Sequence, residues 1–412
     1  MTVPVINAYI DFSSGAVFAP TMVLGSGVLG TNALGDAASV IVDVSSQVDS
    51  LSTSRGRNAT SDQFQTGTMT LRIVDLNGDF NPQNPSSPYA GLLSPMRKVV
   101  ISATYSGTTY PIFSGYITAY ATTTPKSVGE VTYTVIQAVD GFRLANNAQV
   151  STISGAGVAQ KSGTRINKIL DAIGWPAGMR DIDEGLTTVQ ADPATLRTGL
   201  AAMQNIELSE YGSLYVNALG DFVFQDRSAT TESIGGTPVV FNDNGTAIPY
   251  FNARWLLNDS LIYNYATITR EGGTTQIASN AASIEKYFTH SYNQSGLLME
   301  TDDDALNYAR AYVASRQETS IRCDAITLDL YTNDYNAGII AALDLDFFDP
   351  VTITTTQSGS SSITKTLQVF GVSHNLTPNS WKTTLTTLEP IIDGFILDST
   401  EFGVLGTSVL AY

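Results

Sequence analysis

A chain of 412 residues, 43% hydrophobic and only 14% charged, is long enough for two or three cores of ordinary size. Its 21 Lys and Arg against 38 Asp and Glu leave a formal net charge of −17. That balance argues against nucleic acid as a ligand, because phosphate affinity comes from cationic side chains. The single cysteine, Cys323, rules out an internal disulfide and reads as a small buried residue rather than a nucleophile.

Residues 1–35 contain one charged side chain, Asp11, among short apolar pairs and glycines, and are expected to form an extended N-terminal arm. Met1 to Phe12 lacks the basic residues of a signal peptide. The uncharged run from Phe12 to Gly35 is broken by five glycines and Pro20, so it cannot make a membrane helix.

From 36 to 150 the pattern has period two. Met69, Leu71 and Ile73 alternate with Thr70 and Arg72, which predicts a half-buried strand over Thr68 to Val74. Lys98 to Tyr105, Ile112 to Tyr120 and Val131 to Ala138 read the same way, with turns at Ser106-Gly107 and Thr124-Pro125. Strands at this spacing predict a first small antiparallel barrel or sandwich.

Residues 151–240 change period. Ile166, Ile169, Leu170 and Ile173 define one short amphipathic helix, capped by Ser162 or Thr164 and stopped by Gly174. Asp192-Pro193 reads as the start of a second helix with Leu196, Leu200 and Met203 on one face. Leu214 to Val216 and Phe222 to Phe224 flank Gly220-Asp221 as a hairpin, completing a small α+β unit.

Residues 241–395 are expected to form a second β-barrel domain carrying a helix over 302–317. Asp302, Asp303 and Asp304 follow Thr301 in its first turn and Arg310 and Arg316 lie towards its end, which complements the helix dipole. Ala305, Tyr308, Ala309, Tyr312 and Val313 form its apolar face. Ala325 to Leu330, Val351 to Thr356, Ile363 to Gly371 and Ser380 to Leu388 read as strands, with Gln357 to Ser362 a loop tip. Residues 396–412 form a C-terminal arm. The expected fold class is mainly β with an α+β insertion: two antiparallel β-barrel or sandwich domains separated by a helix–hairpin unit, with extended arms.

The chemistry of an enzyme is poorly represented. The only histidines are His290 and His374, and no Gly-x-Ser-x-Gly, His-Glu-x-x-His or paired-cysteine pattern occurs. Asp344, Asp346 and Asp349 could in principle pair as glycosidase carboxylates, but beside Pro350 they read better as a strand entrance. Asp75-Leu76-Asn77-Gly78-Asp79 begins like a calcium loop. Its glycine stands fourth instead of sixth and Ser86 occupies position twelve, so a turn after Val74 is the better reading. No catalytic residue, cofactor or metal ligand is assigned.

Gly27-Val28-Leu29-Gly30-Thr31 with Leu34 recurs as Gly403-Val404-Leu405-Gly406-Thr407 with Leu410. Such sequence cannot bury itself, and it marks Val23, Leu24, Val28, Leu29, Leu34, Ile396, Leu397, Val404, Leu405 and Leu410 as a candidate assembly interface.

Asp43-Val44-Ser45, Ser54-Arg55-Gly56-Arg57, Leu76-Asn77-Gly78-Asp79-Phe80-Asn81-Pro82, Ser87-Pro88-Tyr89 and Pro111-Ile112-Phe113-Ser114-Gly115 follow one another in an order that resembles the minor tail proteins of siphophages. Ala202 to Arg227 is similar to that family's helix and Gly-Asp-Phe hairpin, and Asp393-Gly394-Phe395-Ile396-Leu397-Asp398 to its C-terminal segment. The resemblance implies a non-enzymatic tail-tip hub in the virion, assembled in the host cytoplasm. It would be a homotrimer of two-barrel chains around the DNA path, in contact with the distal tail ring, the tape-measure protein and tip or fibre proteins. A hexameric distal tail ring protein is the nearest alternative, and a carbohydrate-binding or depolymerising tail protein a further one. Many hubs of this family carry a long fibre or a peptidoglycan hydrolase; neither is found up to Tyr412, so those tasks are expected of other proteins.

Overall fold

The computed structural model describes residues 3–13, 40–58, 61–123, 131–229, 233, 236–331, 336–356, 359 and 361–389. Mainly β structure is observed, and its dominant feature is one 13-stranded sheet. Eleven strands follow one another in the order Asn252–Leu256, Arg322–Asp329, Ser380–Leu388, Ile363–Thr377, Val48–Gly56, Gln65–Val74, Tyr133–Val139, Thr108–Thr123, Lys98–Tyr105, Val5–Asp11 and Ile41–Asp43. Pro350–Thr355 pairs with the first part of Ile363–Thr377, and Val239–Asn242 lies parallel to it.

The expected strands form because their apolar residues alternate. Met69, Leu71 and Ile73 are buried, while Thr68 and Thr70 face solvent. The turn at Ser106-Gly107 is the tight hairpin kind, with both residues at positive φ, 51° and 85°.

The sheet contains one strand order twice. In chain order Val48–Gly56, Gln65–Val74, Lys98–Tyr105, Thr108–Thr123 and Tyr133–Val139 lie first, second, fifth, fourth, third. Asn252–Leu256, Arg322–Asp329, Pro350–Thr355, Ile363–Thr377 and Ser380–Leu388 lie in the same order. The correspondence extends to irregularities. The fourth strand bulges between Ile117 and Ala119 in one repeat and between Val369 and Gly371 in the other. Just before the third strand, Met96 and Phe348 both have left-handed backbone, φ 66° and 70°. Their amides donate to the matching carbonyls of Ile117 and Val369.

The repeats are not closed barrels. Ile363–Thr377 pairs with Pro350–Thr355 only as far as Gln368, and from Gly371 to Leu376 it takes Leu51–Gly56 of the first repeat as partner. The strand edge that would close one barrel thus joins the two repeats. Of the expected N-terminal arm, Val5–Asp11 is a strand, paired with Lys98–Tyr105 and Ile41–Asp43, and residues 14–35 lie outside the described residues. Its buried Ala8 and Ile10 give it the alternation of a sheet strand.

Between the repeats, Ser162–Ala172 and Gly199–Glu210 are helices, and Ser213–Val216 pairs with Phe222–Gln225 as the expected hairpin. The second helix starts six residues after Pro193. Asp192 instead accepts from the Ala194 amide and the Arg197 guanidinium, Arg197–Thr198 pairs with Gln149–Val150, and the Thr198 hydroxyl caps the helix. The first helix is preceded by Lys161 at its cap, while the Ser162 hydroxyl donates to Glu210 at 2.9 Å.

The first and second strands of the second repeat are separated by a satellite unit. In it Tyr265–Arg270 pairs with Gln276–Ser279 and Ser291–Leu297, and the helix Asp302–Arg316 packs on them. That helix ends one residue short of the expected 317 and has a full capping box between Thr301 and Asp304. Ala305, Tyr308, Ala309, Tyr312 and Val313 are buried in a core of the satellite's own.

Candidate functional site

The seam between the repeats is densely linked, and the Ser54-Arg55-Gly56-Arg57 motif builds it. Strand alternation points Arg55 into the interior, where it is 7% exposed. Its Nε donates to the Ile112 carbonyl at 3.0 Å, its Nη2 to Asp346 at 3.1 Å, and its plane lies 5.0 Å from the Phe347 ring centre. Gly56 sits at φ +107° against the bulge of the other repeat. A Cβ there would come within 2.3 Å of the Phe370 carbonyl oxygen, so only glycine fits. The Arg57 amide donates to that same carbonyl at 2.8 Å, and its guanidinium lies over the Phe370 ring. Phe64 then gathers Tyr215, Phe347, Phe348 and Phe370 around it, with ring centres 5.0 to 6.3 Å away.

Next to the seam, a polar cluster ties in the other two units. Asp62 accepts from the Tyr312 hydroxyl at 2.8 Å and Arg316 at 2.7 Å, which fixes the satellite helix to the first repeat. Buried Glu207 accepts from the Leu214 amide at 2.8 Å and the Gln63 side-chain amide at 2.9 Å. Burial pushes its carboxyl up to about 8 against the hydrogen bonds, which favour the charged form. Asp140 is similar: its carboxylate accepts from the Gly67 and Phe142 amides, and burial raises it to about 7. A cavity of about 50 Å³ lies within this cluster, between Arg57, Glu207, Tyr211 and Arg316, large enough for ordered water.

Asp346 and Asp349 near Pro350 are parts of this framework, while Asp344 ends the helix Asn336–Asp344. Asp346 holds Arg55, and its amide donates to Asp349 at 2.9 Å, so the carboxylates serve the strand entrance. Asp75 accepts from the Asp79 and Phe80 amides and the Thr134 hydroxyl, a turn in which Gly78 has φ +67°. His374 is buried in the sheet with Nδ1 2.9 Å from the Thr383 hydroxyl, and desolvation lowers it to about 3. His290 packs by Tyr287, with 3.1 Å between Nε2 and its carbonyl. Cys323 is buried in a strand, and burial pushes its thiol up to about 12. Val23, Leu24, Val28, Leu29, Leu34, Ile396, Leu397, Val404, Leu405 and Leu410 lie outside the described residues.

The motif is visible in the sequence, but its partners are not. Arg55 and Asp346 are 291 positions apart, and no spacing rule connects Asp62, Glu207 and Arg316. Only the chemistry of the cluster hints at it: a charged residue on the inward face of a strand needs a partner.

No family model and no curated protein sequence matches the chain. Solved structures do. A 43 kDa tail protein of prophage MuSo2 from Shewanella oneidensis is similar at TM-score 0.52 and 11% identity, over 85% of this chain and 96% of that one. A tail protein from Neisseria meningitidis MC58 is similar at TM-score 0.57 and 10% identity, over 94% and 96%. Across most of its length, the chain has the fold of these two tail proteins.

Proposed function

We propose that this protein is a structural component of a bacteriophage tail, and within the tail a tip hub of the long-tailed phages. One observation carries the reading: a strand order that occurs twice in one chain, with the copies joined edge to edge. Two repeats per subunit let three subunits present six similar units, which suits a trimer placed under a sixfold tail tube. The fold shared with the two tail proteins supports the coarser assignment. The ordered motifs from Asp43 to Gly115 support the finer one, and the seam gives their arginines and glycine a structural reason to be there.

In this role the protein is not an enzyme. Its work is to hold a ring around the DNA path, between the distal tail ring and tape-measure protein on one side and tip or fibre proteins on the other. A net charge of −17 suits a channel wall that repels the polyanion passing through it. Labelling virions with antibody to this protein tests the reading: signal at the tail tip supports it, and signal at the head or no signal contradicts it. A hexameric distal ring would show six copies instead of three. A depolymerase would shorten host polysaccharide on incubation.

A further inference from the structure

Arg57 of the first repeat and Arg316 at the end of the satellite helix both line the cavity of about 50 Å³ beside the seam. They lie close enough for each charge to disfavour the other. The Arg57 Nη1 donates to the Ser61 carbonyl at 2.9 Å, and the Arg316 Nη2 to Asp62 at 2.7 Å. Arg57 Nε and Arg316 Nη1 are closed off from solvent, and neither has a hydrogen-bond partner among the described residues. A buried donor on a charged group is costly to leave unpaired, so these two N–H groups call for an acceptor that the chain does not supply.

Charge decides which acceptor fits. Arg57 forms no ion pair among the described residues, and its guanidinium lies 4.4 Å from the Phe370 ring centre instead. Asp62 is engaged by Arg316 and the Tyr312 hydroxyl. Glu207, its carboxyl pushed up to about 8 by burial, is mostly protonated at neutral pH. Arg57 and Arg316 therefore set two positive charges against the one negative charge of Asp62, in a chain whose net charge is −17. Water would satisfy the donors and leave that charge uncompensated, whereas an anion does both. The volume is several times the roughly 10–15 Å³ that one water needs, which is room for a tetrahedral ion. Adjoining cavities of about 130 and 180 Å³ share Arg57 and Arg316, and Tyr211, Arg227 and Tyr308, and give a small ion its ways in.

We propose that this cavity binds one free oxyanion of the phosphate or sulfate type, which accepts from Arg57 Nε and Arg316 Nη1. The lining explains what the ion does for the molecule. Arg57 and Asp62 belong to the first repeat, Glu207 and Tyr211 to the helix–hairpin unit, Tyr308 and Arg316 to the satellite, and Phe370 to the second repeat. An ion held there ties all four units together at one point, and it fixes the satellite helix against the seam. The site depends on nothing in the tail assignment.

Titration calorimetry of the purified full chain at neutral pH tests the site, with inorganic phosphate as the probe and sodium chloride at equal ionic strength as the comparison. The expected result is saturable binding of one phosphate per chain. The unfolding midpoint should rise by about 3 °C at a hundredfold excess over Kd. Arg57→Gln should weaken binding by about tenfold or more, while Arg143→Gln, at an exposed helix position, should bind as the parent does. No saturable heat in the parent, an equal response to chloride, or unchanged binding by a folded Arg57→Gln overturns the site. If Arg57→Gln does not fold, Arg316→Gln takes its place, and the parent's isotherm decides on its own whether an oxyanion binds.

Discussion

Arg55 and Asp346, 291 positions apart, form an ion pair at 3.1 Å that crosses from the first repeat to the second. The guanidinium is 6% exposed and the carboxylate 36%. Arg55→Ala would strand the Ile112 carbonyl and the carboxylate and remove the stacking on Phe347. It is expected to cost about 3 kcal/mol by urea unfolding. Asp346→Asn should cost less, about 1 kcal/mol, because that side chain is partly solvated. A loss under 1 kcal/mol for Arg55→Ala would show that the pair does not hold the seam.

Gly56→Ala is expected to be among the most damaging small substitutions in the chain. The new Cβ meets the Phe370 carbonyl at 2.3 Å, and the backbone is already left-handed. The loss should reach about 3 kcal/mol or more, or abolish soluble expression. Gly107→Ala provides the comparison, since its φ is +85° with nothing nearby. It should cost about 1 kcal/mol from backbone conformation alone. Equal losses at the two sites in thermal unfolding would contradict the close approach at Gly56.

Stability should depend on pH through Glu207. Its folded pKa of about 8 lies above its ordinary value of 4.5 because burial disfavours the charged form, and the groups facing it are Arg57, Asp62, Gln63 and the Leu214 amide. The folded state binds more protons between those values. The contribution is therefore full below about pH 4.5 and is lost as pH rises towards 8. Asp140 acts in the same direction up to about 7. His374, held neutral down to about 3, acts oppositely at lower pH, adding stability as pH rises to 6.5. Comparing unfolding free energies at pH 5 and 8, Glu207→Gln should reduce the loss seen in the parent protein. An unchanged difference would mean that Glu207 does not titrate in this window.

What could be read in the sequence was local. The helix from Asp302 to Arg316 announces itself through Thr301, three aspartates and an apolar face, all within a few turns. Lys98–Tyr105 and Ser380–Leu388 have the limits that alternation predicts. Val5–Asp11 was hidden because the strand it pairs with along its whole length, Lys98–Tyr105, lies about a hundred residues away and glycine-rich sequence follows it. Asp192-Pro193 has the chemistry of a helix start, but its carboxylate is engaged by Arg197 and the chain first pairs with Gln149–Val150. The open sheet was illegible for the same reason as the seam: both depend on which strand Gly371–Leu376 chooses, a long-range decision.

The terminal segments offer a separate test. The described sheet is complete by Leu388, so truncation after Asp393 should leave a folded monomer by circular dichroism. If Ile396 to Leu410 docks on neighbouring subunits, the truncated chain should fail to enter tails. An unfolded truncated chain would instead mean that this segment supports its own subunit.

A cryo-electron reconstruction of the tail tip tests the proposed ring of two-repeat subunits most directly. The expected result is three copies around the axis, six sheet repeats in quasi-equivalent positions, and a channel wall richer in Asp and Glu than in Lys and Arg. Six copies, a single copy off the axis, or a channel lined mainly by the 21 basic residues would contradict it.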